Sequence, residues 1–412
     1  MRKILVSAYA CEPYKGSEQA VGWNIVLELA KTNDVHVITR ANNKIPIEKF
    51  LHDSNNLHLT FHYYDAPNLF LSIKNKEKGV YLYYIIWQIG IIMLAYKIVK
   101  RYGINYSYHL TFGSIWLPTF LFLLPTKFVW GPVGGGESIP STFISTLSLR
   151  GKLLQYLRKI LILTVYLNPV FLLSSFKAKA ILCRTPDTIK VFPKSIRHKC
   201  YILTDGAIEK EIFQYKQKSS NREEIHLIAT SRLIHTKNVL TLIKAISLIP
   251  CNYNIKLTII GSGPDEESIK KLIFKLGLSN RITQIPFIPR LEVLKQLEQS
   301  DVYLFGSLKE ACNLSLLEAM AIGLPVICLN WSGMAISTDD SCAIRLPVTN
   351  PEQMPEDMAA AIIKLIENPE LRESMGKAGR KRIKEIYNWE NKGDFINKLL
   401  DRMQDHSQFL SL

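Results

Sequence analysis

Short apolar runs alternate with longer stretches of helical periodicity along the whole chain. The runs fall at 4–8, 35–39, 57–63, 104–109, 127–130, 180–183 and 200–204, then at 226–230, 256–260, 282–285, 302–305, 325–328 and 342–346. Helix-like spacing fills the gaps between them, for example at 17–31, 239–249, 268–276 and 314–322. Strands joined by helix-length connections form crossovers rather than hairpins. The pattern therefore predicts an α/β protein with parallel sheets covered by helices. A turn signal at 204–206 splits the strands into two sets. The expected units are two Rossmann-like, doubly wound domains at 1–205 and 206–387. The remainder, 388–412, reads as a terminal helix that by analogy packs back on the first domain. A chain of 412 residues is long enough for two such cores.

Two stretches are greasier than the pattern requires. Residues 80–99 are almost all apolar, broken by Gln88, Gly90 and Lys97. They read equally as a buried core helix or as a helix in a membrane interface. Residues 147–174 mix Leu, Ile and Val with Arg150, Lys152, Arg158 and Lys159. Basic residues ahead of an apolar run favour contact with an anionic membrane surface.

Charge sharpens this picture. The net charge is +15, and all of it lies in residues 1–200, with 25 Lys and Arg against 10 Asp and Glu. The second half holds 26 of each. A basic half suits an anionic partner such as a membrane surface or a phosphorylated acceptor. The seven cysteines form no Cys-x-x-Cys pair and stand at no zinc spacing, so buried reduced thiols are expected. The chain opens Met1-Arg2-Lys3 and enters a strand at once, without a leader-like apolar stretch. The expected location is cytoplasmic, peripheral at the inner face of the membrane.

The strongest chemical signal starts at Glu310, in the loop after the run 302–305, where open α/β sheets bind ligands. A helix follows, with Asn313 as its N-cap. Its first amides, at Asn313, Leu314 and Ser315, and its positive dipole end suit a phosphate. Glu318 lies one turn further on. Two carboxylates thus bracket an anion site, and each accepts hydrogen bonds from sugar or ribose hydroxyls. Arg232 and Lys237 follow the run 226–230, as two cations fit to neutralise a diphosphate. Gly261 and Gly263 form a tight turn after 256–260. A lone Gly-x-Gly is weak by itself, and Pro264 breaks the dinucleotide fingerprint. In the first half, Gly16 enters a helix, His109 ends a strand, and Gly134-Gly135-Gly136-Glu137 follows another. Three glycines in a row leave backbone amides open to an acceptor or a phosphate.

The run from Glu310 to Ile327 resembles glycosyltransferase family 4, the group 1 retaining glycosyltransferases. The hallmark is Glu-x7-Glu followed by Ala-Met-Ala-x-Gly-x-Pro-Val-Ile, matched here by Glu310, Glu318 and Ala319–Ile327. Ser231-Arg232-Leu233 through Lys237-Asn238 is similar to that family's Gly-Arg-Leu-x-x-x-Lys-Gly, with Ser231 and Asn238 in place of glycines. The segments at 11–23, 108–114 and 130–137 resemble a bacterial, polysaccharide-type branch. The resemblance implies a GT-B fold, two Rossmann-like domains facing across a cleft that closes during turnover. It places Glu310 near the donor sugar, Glu318 on the ribose, and Arg232 and Lys237 on the phosphates. Gly261 and Gly263 then fall near the nucleotide, Gly16 at the diphosphate and His109 at the sugar. Gly134, Gly135, Gly136 and Glu137 are candidates for the acceptor side.

The implied activity is retaining transfer of a hexose-type sugar from a nucleotide diphosphate to a lipid-linked or polysaccharide acceptor. No cofactor, metal or nucleic acid is expected, because Arg232, Lys237 and helix amides carry the phosphate charge and no Asp-x-Asp motif occurs. A nucleotide-sugar epimerase or a phosphorylase would share the fold. The absent Gly-x-Gly-x-x-Gly argues against a dehydrogenase. A non-catalytic membrane or nucleic-acid binder is the rival suggested by charge alone.

Overall fold

Among the described residues, thirteen strands form where the sequence pattern puts them, in two parallel sheets. The computed structural model describes residues 1–52, 58–71, 79–147, 149–217 and 224–408. The first sheet contains β1 (Lys3–Ser7), β2 (Asp34–Thr39), β3 (Leu59–Tyr63), β4 (Tyr106–His109), β5 (Lys127–Val133), β6 (Ala180–Cys183) and β7 (Cys200–Ile202). Their order is β3-β2-β1-β4-β5-β6-β7. The second sheet contains β8 (Ile225–Thr230), β9 (Ile255–Ile260), β10 (Ile282–Ile285), β11 (Val302–Phe305), β12 (Val326–Leu329) and β13 (Ala343–Leu346). Its order is β10-β9-β8-β11-β12-β13. In both sheets the order reverses once, beside β1 and beside β8. Open α/β sheets bind ligands at such a switch point, outside the strands' carboxyl ends.

Strand periodicity explains why both faces of the first sheet are buried. Successive side chains of a strand point to opposite faces. Ile4 and Val6 of β1 join one apolar cluster with Val129, Ala180 and Leu182. Leu5 joins the other with Phe128, Trp130, Ile181 and Cys183. The second sheet packs into one continuous core, which includes Leu227, Ile259, Leu304 and Ile327 from its strands. Of the cysteines, Cys11, Cys183, Cys328 and Cys342 are buried as expected, while Cys251 is exposed.

The chain divides into two compact units. The first contains Met1–Gly136, Ile160–Gly206 and Trp389–Leu412, and the second Glu137–Lys159 and Ala207–Asn388. Residues 137–159 thus leave the domain 1–205 to which the sequence pattern assigns them. Ile139, Phe143, Ile144 and Leu147 are buried in the second unit's core. The Trp331 indole donates to the Ser138 carbonyl at 2.9 Å, and the Thr142 hydroxyl to the Val348 carbonyl at 3.1 Å. Nothing local marks the excursion, because the deciding contacts lie some two hundred residues further along the chain.

The helix Trp389–Gln408 belongs to the first unit. Ile396, Leu399 and Leu400 enter its core. Arg2 donates to the Asn397 carbonyl at 3.0 Å and to Asp401 at 2.5 Å, and Lys127 to the Met403 carbonyl at 2.9 Å.

The two greasy stretches behave differently. The helix Val80–Tyr102 is long and apolar enough to cross a membrane. One of its faces, with Tyr83, Tyr84, Trp87, Gln88 and Ile91, is buried in the first unit. The opposite face exposes Tyr81, Leu82, Ile89 and Met93. The helix Leu149–Thr164 buries only Gly151 and Gln155. It exposes Leu149, Leu153, Leu154, Leu157, Ile160 and Leu161. The chain bends by 66° before the next helix, Pro169–Lys177. Asn168 caps that helix by accepting from the amides of Val170 and Phe171 at 3.0 and 3.3 Å.

Candidate active site

In the second unit the loops after β8 and β11 meet at the switch point. The Leu308 amide donates to the Thr236 carbonyl at 2.8 Å, and the Ser307 hydroxyl to the same carbonyl at 3.3 Å. This tie brings Lys237 against Glu310, and its ammonium donates directly to Oε1. Ser307 donates to the same oxygen at 2.5 Å. The two charged side chains are 14% and 11% exposed, so the pair is held largely out of water. The Glu310 carbonyl accepts from the Ser332 hydroxyl at 2.8 Å and from the Gly333 amide at 2.9 Å. Glu310 is therefore fixed from both its side chain and its backbone.

Asn313 caps the helix Leu314–Ile322, its Oδ1 accepting from the Leu316 amide at 3.4 Å and the Ser315 hydroxyl at 2.8 Å. The Leu314 and Ser315 amides lie in the first turn, outside the intrahelical ladder. The Asn313 Nδ2 is buried and without a hydrogen-bond partner among the described residues. An unpaired buried donor beside a helix N-terminus suits an anionic oxygen. Beneath it, Tyr303 donates to Ser315 Oγ at 3.0 Å and shares a 2.8 Å bond with Thr230 Oγ1. Burial pushes the Tyr303 phenol up to about 12, so it stays a neutral hydrogen-bonding strut.

Glu318 is 6% exposed. Burial raises its carboxyl pKa, and Arg290 pulls it back down. The Arg290 Nε donates to Glu318 at 2.6 Å, and its Nη2 to Glu209 at 2.8 Å. Arg232, by contrast, stands exposed and forms no ion pair among the described residues. Lys309 neighbours Glu310, and burial together with the Arg158 cation lowers it to about 8.

Gly261 and Gly263 serve close backbone packing. Gly261 has φ +150°, and a Cβ there would stand 1.8 Å from the Ser231 carbonyl oxygen. One on Gly263 would stand 2.3 Å from that of Leu233. The turn they form is pinned by the Leu233 amide donating to the Ser262 carbonyl at 3.0 Å. The glycines therefore hold the Arg232 loop in place from behind.

The first unit carries the remaining candidates. His109 ends β4 but is only 1% exposed, and burial lowers its pKa to about 3. The ring is neutral at physiological pH. Tyr84 gives its hydroxyl proton to the Pro118 carbonyl at 2.9 Å, so its 3.2 Å contact with His109 Nε2 makes that nitrogen the donor. Gly16 is exposed at the start of the helix Ser17–Ala30. The positive φ angles of its loop fall on Tyr14 and Ser17, at +60° and +57°.

The three glycines after β5 depart from expectation. The Gly134 amide donates to the Gly113 carbonyl at 3.1 Å, and that of Gly136 to Thr188 Oγ1 at 3.2 Å. These two amides are engaged in packing loops together and are not open to a phosphate. Glu137 is 5% exposed and belongs to the second unit. Sequence reasoning missed Ser307, Arg290 and Ser332. Ser307 had a signal, three residues before Glu310 in one loop. Arg290 had none.

Solved structures place this architecture in a class. Sucrose-phosphate synthase from Thermosynechococcus elongatus superposes with a TM-score of 0.64 at 15% identity, covering 98% of this chain and 100% of that one. Anabaena HepE, solved in complex with UDP, gives 0.59 at 13% identity over 98% and 100%. The fold is GT-B, with two Rossmann-like α/β units built on parallel sheets. Within it, residues 211–382 match the family model described as glycosyl transferases group 1. An uncharacterized glycosyltransferase of Methanocaldococcus jannaschii is 30% identical over 192 residues, 46% of this chain and 48% of that protein. A GDP-mannose-dependent monoacylated alpha-(1-6)-phosphatidylinositol monomannoside mannosyltransferase of Corynebacterium glutamicum is 26% identical over 203 residues, 45% and 51% of the two chains. The chain spans about half the length of these curated relatives.

Proposed function

We propose that this protein is a retaining glycosyltransferase that moves a hexose-type sugar from a nucleotide diphosphate to a lipid-linked or polysaccharide acceptor at the cytoplasmic face of a membrane. One observation carries the transferase reading. At the second unit's switch point, Lys237, Glu310, the cap at Asn313 and Glu318 gather on adjoining elements, as a pyrophosphate-linked sugar requires.

Cleaving the bond from the anomeric carbon to phosphate leaves positive charge on carbon and negative charge on the departing diphosphate. Lys237, Arg232 and the amides of Leu314 and Ser315 offset the second charge. Glu318 receives the ribose hydroxyls. Glu310 orients the sugar, since its Oε1 already accepts from Lys237 and Ser307 and is a poor nucleophile. The acceptor hydroxyl then attacks from the leaving-group face. Its oxygen bonds to the anomeric carbon, and its proton passes to the departing phosphate oxygen.

The membrane reading is supported by the helix Leu149–Thr164. It exposes leucines and isoleucines, carries Arg150, Lys152, Arg158 and Lys159, and contains no acidic residue. An exposed apolar face flanked by cations matches an anionic lipid surface.

The test is incubation of purified protein with a panel of nucleotide sugars and lipid-linked glycans in anionic vesicles. Release of nucleoside diphosphate with one new glycosidic bond of unchanged anomeric configuration is expected. Conversion of the nucleotide sugar without nucleotide release would mark an epimerase and overturn the proposal.

A further inference from the structure

A cavity of about 480 Å³ opens in the first unit, at the carboxyl ends of its strands. Glu18, Tyr81, Phe112, Ser114, Trp116 and Arg184 line it. Its volume lies in the range of roughly 300–1,000 Å³ usual for small-ligand sites. Three aromatic rings form the walls. Phe112 is fixed by stacking on Tyr84 at 5.2 Å and by Tyr9 edge-on at 4.8 Å. The Trp116 indole is held by donating to the Leu161 carbonyl at 3.4 Å.

The charged edge is equally ordered. Arg184 donates to one oxygen of Glu18 at 2.8 Å, and the Phe112 amide to the other at 3.3 Å. Phe112 reaches that position with φ +59°, a strained conformation for a bulky residue. Asp205 meets Arg184 from a second direction at 3.0 Å. Two carboxylates around one guanidinium leave the cluster with a net negative charge.

We infer that this cavity binds a neutral sugar ring of the acceptor, seated against Phe112 and Trp116 with its hydroxyls on Glu18, Ser114 and Arg184. A pyranose has an apolar C–H face and a rim of hydroxyls, and the cavity offers aromatic faces and a rim of acceptors and donors. A phosphate is disfavoured by the negative cluster, and a lipid tail by the burial of Glu18 and Arg184 it would require. The inference rests on the transferase reading and narrows its acceptor to one that presents a glycosyl unit.

Saturation-transfer NMR on the full chain tests it, with methyl glycosides of glucose, galactose, mannose and N-acetylglucosamine as probes. UDP and GDP are measured in parallel as an independent readout of the second unit. At least one glycoside is expected to bind, to weaken tenfold or more in Trp116→Ala and Glu18→Gln, and to recover in Trp116→Tyr. Inorganic phosphate should not displace it. No glycoside binding to the wild type, equal binding to both variants, or displacement by phosphate overturns the inference. Failure of both nucleotides to bind instead strikes the donor reading and is seen separately.

Discussion

Lys237 and Glu310 stand 73 positions apart in the chain and form a direct, largely buried ion pair in the second unit. Each belongs to a loop leaving one of the two strands that flank the switch point. The contact thus follows from strand order, and it sets a carboxylate and an ammonium beside the helix N-terminus at Asn313.

Removing Glu310 should lower turnover far more than donor affinity. Glu310→Ala is expected to reduce kcat by about 10²–10³-fold, with KM for the nucleotide sugar changed much less. Lys237→Ala leaves the carboxylate with Ser307 alone and should destabilise the second unit by about 3–5 kcal/mol. Steady-state kinetics and urea unfolding measure the two effects. Wild-type kinetics in Glu310→Ala would remove it from the active site.

Glu318 should show the opposite split. Glu318→Ala is expected to weaken nucleoside diphosphate binding about tenfold or more, read by calorimetry. In Arg290→Ala the cation that pulls the Glu318 carboxyl down is gone. The carboxyl then ionises at higher pH, and the acid-side midpoint of nucleotide binding should move upward. An unchanged midpoint would separate Arg290 from the binding function.

The strands and the second-unit site are legible in the sequence because both are local patterns. Alternating apolar runs fix β1 through β13, and Glu310, Asn313 and Glu318 share one loop and one helix. What escapes is set by long-range packing. Arg290 reaches Glu318 across 28 positions, and the sheet order that allows it is not written near either residue. The segment 137–159 leaves its neighbours for the second core because of Trp331 and Val348. The same limit applies to Gly134 and Gly136, whose amides are taken by Gly113 and Thr188.

His109 should make the first unit acid-sensitive. Its folded pKa is about 3, against an ordinary 6.5, because the buried ring resists charging. Below the unfolded value the unfolded chain binds the extra proton, so this residue's contribution to stability falls as pH drops from about 6.5 toward 3. The slope is at most about 1.4 kcal/mol per pH unit. His109→Gln should flatten the fall in melting temperature between pH 7 and 5. An identical profile would show that the ring is not held neutral.

Gly261→Ala should damage the second unit without touching a charged group. The added Cβ would meet the Ser231 carbonyl at 1.8 Å on a backbone at φ +150°. A loss of about 2 kcal/mol or more is expected from this clash, read by chemical denaturation. Arg232 and its loop shift with Ser231, so donor affinity should fall too.

Exposed apolar residues give a cleaner membrane test than charges do. Leu153, Leu157 and Ile160 are 59%, 47% and 58% exposed. Replacing all three by Gln should change thermal stability little. Sedimentation with phosphatidylglycerol vesicles should drop severalfold. Undiminished vesicle binding would locate the lipid contact elsewhere.

The first unit joins segments nearly four hundred positions apart, since Arg2 is fastened to Asn397 and Asp401 and its core closes over Leu399 and Leu400. During translation the ribosome delivers the inserted lobe, 207–388, before the piece that finishes its predecessor. The apolar face that Leu399 and Leu400 cover therefore stays unsealed until the helix Trp389–Gln408 has been made, which makes that interval the natural point for chaperone capture.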